Sequence, residues 1–421
     1  MKHLRIVGAG WAGLAAAVAA VKEGWQVDLY ETAHTAGGRA RSLTQRFAGH
    51  PLDNGQHVLI GAYRDTLDLM RTVGLEPGSL LQRMPLNLKF ADGQGLALPN
   101  LAAPWNVLAG IALAVGWGWS DKLSVLGACW QWQRSGFSCD ATWTVAQLCT
   151  HSGLTPSVVQ QLIEPLCLSA LNTSCSNASA LVFLRVLHDA LLGGPGSADL
   201  LIPTTDLNAL LPDACLRWLR THGAQVHLGR RITAEDLQTS AFQTSSAHLL
   251  LLACPSWEAS RLTAHTYPHW SQQAAHLSHA AITTVYLHCT DVGFKGLTQP
   301  MVALHSDATQ PAQFVFDRGA LTQQPGLLAC VVSDSQSDRD AMARRVQQQV
   351  AQQLGLSSLD IIQTVVEKRA TLACTPAQVR PESCIAPYLF ACGDYVNGPY
   401  PSTLEGAVRS GQQVVTQLRD G

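Results

Sequence analysis

The run Gly8-Ala9-Gly10-Trp11-Ala12-Gly13 places three glycines at a spacing that suits an anion. Gly8 permits a tight strand-to-helix turn, Gly10 lets backbone approach a pyrophosphate, and Gly13 lets the helix lie close on a sheet. The N-terminus of the helix that follows, read over Ala15 to Ala20, then aims unpaired N–H groups at that anion, and Trp11 and Ala12 in the turn are candidate cofactor contacts. Apolar runs flank the motif, Leu4 to Val7 before it and Val27 to Tyr30 after an alanine-rich segment. Glu31 ends the second run, eighteen residues beyond Gly13, where a carboxylate accepts hydrogen bonds from ribose hydroxyls. The glycines alone are weak evidence. Strand, glycines, helix, strand and acid in this order specify a dinucleotide.

The motif alone does not separate NAD from FAD. The next segment does: Gly37-Gly38-Arg39-Ala40-Arg41 sets a glycine pair beside two arginines. Backbone donors and guanidinium groups there would meet a second anionic patch, as the longer flavin dinucleotide requires. Near the other terminus an apolar run leads into Gly393-Asp394, a Gly/Pro-rich loop and a helix of small residues. That too reads as a place for a phosphate or ribityl group, so the chain carries two such elements at its opposite ends.

These elements must be positioned by a chain of 421 residues, too long for one core, so two domains are expected. The formal charge is −2 with no basic tract, which excludes a nucleic-acid footprint. Only 14% of residues are charged and mean hydropathy is positive, which points to an apolar substrate, membrane contact, or both. Twelve scattered cysteines form no C-x-x-C pair and no Cys/His cluster at zinc spacing, so reduced thiols in a cytoplasmic protein and no metal are expected. Lys2 and Arg5 ahead of an apolar run imitate a signal peptide, but the dinucleotide reading accounts for more of the same residues.

The segments GAGWAGLAAA, GGRAR and LDNGQHVLIGAY resemble the amine oxidase and phytoene desaturase superfamily of flavoproteins. The resemblance implies an α/β fold, a Rossmann-like FAD-binding domain with an inserted α+β substrate domain. Residues 1–85, 201–265 and 371–421 would build the FAD domain; residues 86–200, helical and apolar, and 266–370, rich in strands, would build the substrate domain. It explains the two phosphate elements as serving one long, non-covalently held FAD. By the same resemblance Asn54, Gly55, Gln56 and His57 lie along the cofactor. Ile232 follows the strand Gly223 to Leu228 where backbone meets adenine, Asp394 binds the ribityl or pyrophosphate stretch, and Thr403 and Leu404 set N–H groups near the flavin ring. Within the superfamily, EPLCLSALNT, ASALVFLRVLHDAL, EKRATLACTPAQVRP and GDYVNGPYPSTLEGAVRSG are similar to the hydroxysqualene dehydroxylases of hopanoid-producing bacteria. This implies hydroxysqualene as substrate, squalene as product, and hydride from reduced FAD quenching an allylic cation as water leaves.

Residues 93–120 contain no charge, and Val107 to Trp119 is wholly apolar or glycine but shorter than the roughly 18 residues needed to span a bilayer. Trp105, Trp117, Trp119, Trp130, Trp132 and Trp143 cluster in this neighbourhood. Two readings stand: a buried helical pair, or a patch resting on the inner face of the cell membrane and admitting a lipid-soluble substrate. For catalysis, Glu164 is a candidate general acid or a structural carboxylate, His57 a flavin-side or substrate-side group, and Tyr400 a contact residue beside the flavin ring. Asp53 reads equally as a turn residue. A desaturase running oxidised FAD, and a flavin-binding scaffold without turnover, remain alternatives. No second complete GxGxxG appears, which leaves free reduced flavin, a ferredoxin or NADPH as electron donor. Gly10→Val is expected to give a colourless protein, read by the flavin absorbance of the purified variant. Glu31→Ala is expected to weaken FAD binding by about 1.5–3 kcal/mol, measured by titrating apoprotein.

Overall fold

The computed structural model describes residues 2–101, 104–335 and 338–420; residues 102–103, inside the apolar 93–120 stretch, lie outside this range. A six-stranded sheet runs in the order Gln225–Leu228, Gln26–Glu31, His3–Val7, His248–Leu252, Leu389–Ala391 and Cys384–Ala386. The first five strands are parallel and the last turns back as an antiparallel edge. Parallel strands are covered on both faces, which is why Leu4-Arg5-Ile6-Val7 and Leu249 to Leu252 read as nearly unbroken apolar runs. Val7 lies opposite both Tyr30 and Leu252, so the strands end together and open one crevice at their carboxyl edge.

Helix Trp11–Lys22 packs on this sheet through small residues and against the C-terminal helix Leu404–Asp420. The two helices touch nearly backbone to backbone: a Cβ on Gly411 would stand 2.2 Å from the Ala12 carbonyl oxygen. The Lys2 ammonium also donates to the Leu418 carbonyl. First and last helices of the chain are therefore one packing unit.

A second, antiparallel sheet of five strands runs Met301–Ala303, Phe314–Asp317, Leu327–Ser333, His279–Cys289 and Leu359–Leu372. Its residues alternate with period two. Tyr286, Phe314, Phe316, Ala329 and Val331 face one core, while Val285, Leu287, Val315, Leu328 and Cys330 pack in another with helix Arg339–Leu354. The first core is completed by helices Trp105–Leu113, Trp119–Arg134, Val145–His151, Glu164–Leu171 and Ala180–Leu192. A π-helical turn, Val159–Ile163, precedes Glu164-Pro165, where proline cannot donate the N–H that a regular α-turn would use.

The expectation of a buried helical pair or a surface patch resolves into both. On helices Trp105–Leu113 and Trp119–Arg134, Ile111, Val125, Ala128 and Trp132 are buried, whereas Trp105, Trp119 and Trp130 are 66%, 81% and 61% exposed, beside exposed Leu113 and Leu123. Lys122 and Arg134 lie over the Trp119 and Trp130 rings. No helix among the described residues is long and apolar enough to cross a membrane.

Asp53 is no turn residue. It ends the strand His50–Asp53 fully buried, and its carboxylate meets the buried Arg318 guanidinium at 3.2 Å while accepting from Ser42 and the Leu207 amide. The Tyr286 hydroxyl donates to its carbonyl at 3.0 Å. Four distant chain segments meet at this one residue. Burial pushes the Asp53 carboxyl up to about 6, against the pull of Arg318. Because its folded value lies above its unfolded one, this group favours the fold at low pH and loses that contribution as pH rises from about 4 to about 6. Arg318→Met is expected to strand the Asp53 charge and cost about 3–5 kcal/mol at pH 8. The loss should shrink at pH 5, where Asp53 takes up a proton; denaturant unfolding at the two pH values checks both.

Candidate active site

At the carboxyl edge of the parallel sheet each glycine of the motif does a different job. Gly8 adopts φ +112°, and a Cβ there would meet the Ala253 carbonyl oxygen at 2.7 Å. A Cβ on Gly13 would come within 2.0 Å of the Gly8 carbonyl oxygen, so helix and turn are in contact. Gly10 differs: its missing Cβ would face open cavity, with only the Gly38 Cα at 3.8 Å. That is the space a pyrophosphate fills. Gly37 donates its N–H to the Ala9 carbonyl at 2.9 Å and draws the Gly37-Gly38 turn against it. No side chain caps the helix that starts at Trp11, and the Trp11 and Ala12 amides have no acceptor among the described residues. The Trp11 indole itself is buried and donates to the Ala40 carbonyl. Glu31 lines the same cavity, and its two oxygens also accept the Ala9 and Ala33 amides at 2.8 and 2.9 Å. It braces the turn as well as facing the ribose position. Ile232, with Arg230 and Arg231, closes this end.

Arg39 and Arg41 both line the cavity, and each spends part of its guanidinium on the protein itself. Arg39 meets Asp394 at 2.5 Å and donates to the Ala370 carbonyl at 2.8 Å, and Arg41 donates to the Gly38 carbonyl at 2.5 Å. Burial would raise the Asp394 carboxyl, but the Arg39 guanidinium beside it holds it below the usual carboxylate range. Asp394 is thus a charged partner of Arg39 first, and any contact with a ribityl chain is made by a carboxylate already neutralised. Asn54 donates to the Arg39 carbonyl and to Glu367, fixing the loop between. Gly393, at φ +145°, gives its N–H to Ser410. Thr403 and Leu404 line the cavity at the start of the terminal helix, where the Thr403 hydroxyl accepts the Gly406 amide at 3.0 Å.

From this cradle the cavity, about 940 Å³ in all, runs on between Leu88, Leu98, Ile111, Val125, Trp132 and Phe183. Its far wall is the inner face of the tryptophan-bearing helices. Gly55, Gln56 and His57 stand at the junction of the two parts. The Gln56 side chain accepts from Arg318, and His57 shares its Nδ1 proton with the Gly55 carbonyl at 3.2 Å. Burial lowers the His57 imidazole below its ordinary value, which disfavours its cationic form. Glu164 is absent from the cavity wall; its carboxylate accepts the Cys175 amide at 3.1 Å and pins a loop to the helix start. The structure does not bring it to the reacting region. Cys392 is wholly buried in the core and away from the wall.

Tyr400 does line the cavity, in company that sequence reading missed. Its hydroxyl accepts from Arg185 at 3.1 Å, and the Arg185 and Arg409 guanidiniums lie over its ring at 5.3 and 4.8 Å. Arg185 also meets Asp189 at 3.1 Å, and Asp189 meets His188 at 2.9 Å. The signal was present: Arg185, His188 and Asp189 are the only polar residues in the otherwise apolar helix ALVFLRVLHDALL.

The comparisons with known proteins agree with this geometry. A family described as flavin-containing amine oxidoreductase matches residues 11–419. A hydroxysqualene dehydroxylase of Rhodopseudomonas palustris is 27% identical, over 98% of this chain and 97% of its own. A zeta-carotene desaturase of Arabidopsis thaliana is 36% identical over 77 residues, 18% of this chain and 14% of its own. Among solved structures, an oxidoreductase from Methanosarcina mazei superposes with a TM-score of 0.70 at 14% identity, covering 99% of this chain and all of that one. Cradle, cavity and family match lead to one statement: the chain belongs to the flavin-containing amine oxidoreductase family and is an FAD-dependent oxidoreductase.

Proposed function

We propose that this enzyme reductively removes the hydroxyl of hydroxysqualene to give squalene. The observation that carries the reading is the cavity itself: one continuous space joins the dinucleotide cradle to a long apolar chamber. Such a chamber suits a polyprenyl chain, and the full-length similarity to dehydroxylases adds the reaction type. FAD would be held by Gly8, Gly10, Gly13, Glu31 and Ile232 at its adenosine and pyrophosphate end, and by Asp394, Thr403 and Leu404 toward the ring. Bound and reduced, it supplies the hydride. The protein's part is to exclude water and bases from an allylic cation. The carboxylates near the cradle suit that task, since Asp394 is bound to Arg39, Glu367 to Asn54, and Glu405 to the Thr66 hydroxyl and amide. None is a loose nucleophile.

The substrate's solubility gives the exposed tryptophans a purpose. The helices that wall the chamber inside carry Trp105, Trp119 and Trp130 outside, with Lys122 and Arg134 among them. A lipid bilayer fits this face: apolar rings enter the headgroup boundary and the two cations meet anionic lipid. The substrate then passes between the helices without crossing water. Replacing Trp119 and Trp130 together by Glu is expected to remove about 1.5–3 kcal/mol of insertion each. The protein should then fail to float with anionic vesicles while keeping its flavin.

The local desaturase matches support one competing reading, in which oxidised FAD takes hydride from a polyprenyl substrate. An anaerobic single turnover separates the two. Reduced enzyme in mild detergent, given hydroxysqualene, is expected to form squalene in step with flavin reoxidation. A flavin that stays reduced, with no squalene, defeats the proposal and turns the test to oxidised enzyme and a partly saturated polyene.

A further inference from the structure

Removing a hydroxyl as water consumes a proton as well as a hydride, and few groups on the cavity wall have one to give. The His57 Nδ1 proton is shared with the Gly55 carbonyl, and burial disfavours its cationic form. Glu31, Glu258, Glu367, Asp394 and Glu405 are each tied to backbone amides or to a cationic or amide side chain. Asn172, another polar wall residue, is held by Thr371 and the Asp334 amide. Tyr63 is half-buried on the wall, with its hydroxyl near Thr403 and the amide-bound Glu405. Tyr395 is buried against Cys254 and Cys392 on the dinucleotide side. Among the described residues, Tyr400 combines a place on the wall with a polar chain leading outward: one guanidinium, Arg185, holds both its hydroxyl and Asp189 at 3.1 Å, Asp189 meets His188 at 2.9 Å, and His188 is 44% exposed.

We propose that Tyr400 gives the proton that lets the substrate hydroxyl leave as water, and that His188 and Asp189 return a proton to it from solvent. This rests on the dehydroxylase reading. In the step, the allylic C–O bond breaks and its electron pair stays on oxygen, which takes the Tyr400 proton and departs as water. The carbon gains the hydride supplied by reduced flavin, which is thereby oxidised by two electrons. The phenolate left on Tyr400 is met by the Arg185 N–H already at 3.1 Å and by the Arg409 guanidinium over its ring. Arg185, one helical turn before Asp189 and bonded to it, acts as a positioning residue.

The charges facing Tyr400 are Arg185, His188 and Asp189 on helix Ala180–Leu192, and Arg409 on the terminal helix, where it meets Asp65 at 3.1 Å. Arg380 donates to the Tyr400 carbonyl, and Glu405 is buried behind it under the Thr66 and Asp65 amides. Burial holds the phenol above its ordinary value, with the Asp189 carboxylate adding to the shift and Arg185 and Arg409 opposing it.

The test begins with reduced, FAD-loaded wild type and the Y400F and D189N variants, in single turnover with hydroxysqualene. Y400F is expected to keep its flavin and slow squalene formation by about 10²–10⁴-fold, the usual worth of general acid catalysis. It should also lose the solvent deuterium isotope effect that the wild type shows. D189N is expected to slow less and to shift the pH profile. A second readout needs no turnover: in protein labelled with ¹³Cζ-tyrosine, the resonance missing from Y400F should titrate at lower pH in D189N. No squalene from the wild type overturns the reaction and the relay with it. Squalene from wild type and Y400F at equal rates and with equal isotope effects overturns the relay alone. So does a Tyr400 titration that D189N leaves in place.

Discussion

The ion pair between Arg39 and Asp394, 2.5 Å across 355 residues of chain, is the contact on which the rest of the site depends. FAD is a long ligand, and a single strand-turn-helix unit can hold only its phosphate end. Its other half needs walls from elsewhere in the chain. Arg39 leaves the Gly37-Gly38 turn that presses on the pyrophosphate loop, and Asp394 ends the strand that leads to the terminal helix. Pairing them inside the protein sets the two loops at a fixed separation. The pair is buried enough that burial and attraction oppose each other, so it contributes geometry more than stability. The tight packing of Gly411 on Ala12 does the same work one layer down, without charge.

Under the proposed function, the second constraint is that an oily substrate must reach that flavin without a route through water. One helix pair meets it from both sides. Ile111, Val125, Ala128 and Trp132 furnish the chamber wall, and Trp105, Trp119 and Trp130 stand on the opposite face. A helix that is apolar all round is ordinarily buried or membrane-spanning. The nine-residue helix is nearly all apolar yet too short to span a bilayer, and the sixteen-residue one sets Asp121, Lys122, Gln131, Gln133 and Arg134 among its exposed tryptophans. The periodicity of the sequence could not separate a buried pair from a surface patch because one face of these helices is buried and the other exposed.

What could be read from sequence was what local grammar encodes. Gly8, Gly10, Gly13 and Glu31 were legible because a turn, a close approach and a strand end are each set by a handful of neighbouring residues. Residues whose meaning lies in a distant partner were not. Arg39 and Arg41 looked like anion ligands, and their acceptors, Asp394 and the Gly38 carbonyl, could not be assigned by spacing. Asp53 looked like a turn, yet it is the buried meeting point of Ser42, Leu207, Tyr286 and Arg318. Glu164 stood at the head of a resembling block and invited a catalytic role; its carboxylate in fact holds the Cys175 amide. Arg185 was not singled out at all, because its partner, Tyr400, comes from a loop some two hundred residues later.

The same distinction bears on the direction of electron flow. The parallel sheet, the glycine turn and the terminal helix are common to flavoenzymes that take hydride and to those that give it, so nothing in the cradle decides between them. The chamber's polar endowment does bear on it. Hydride loss from a hydrocarbon needs a base to remove a proton, whereas hydroxyl loss needs an acid and a path to replenish it. A basic carboxylate would have to be desolvated and unpaired, and those around the cradle are bonded to amides or cations. The polar cluster around Tyr400, which opens to solvent, joins a phenol to two guanidiniums, an arrangement that stabilises the anion a spent acid leaves behind. Its chemistry matches proton delivery better than proton removal, and so favours reduction of an oxygenated chain over desaturation of a hydrocarbon.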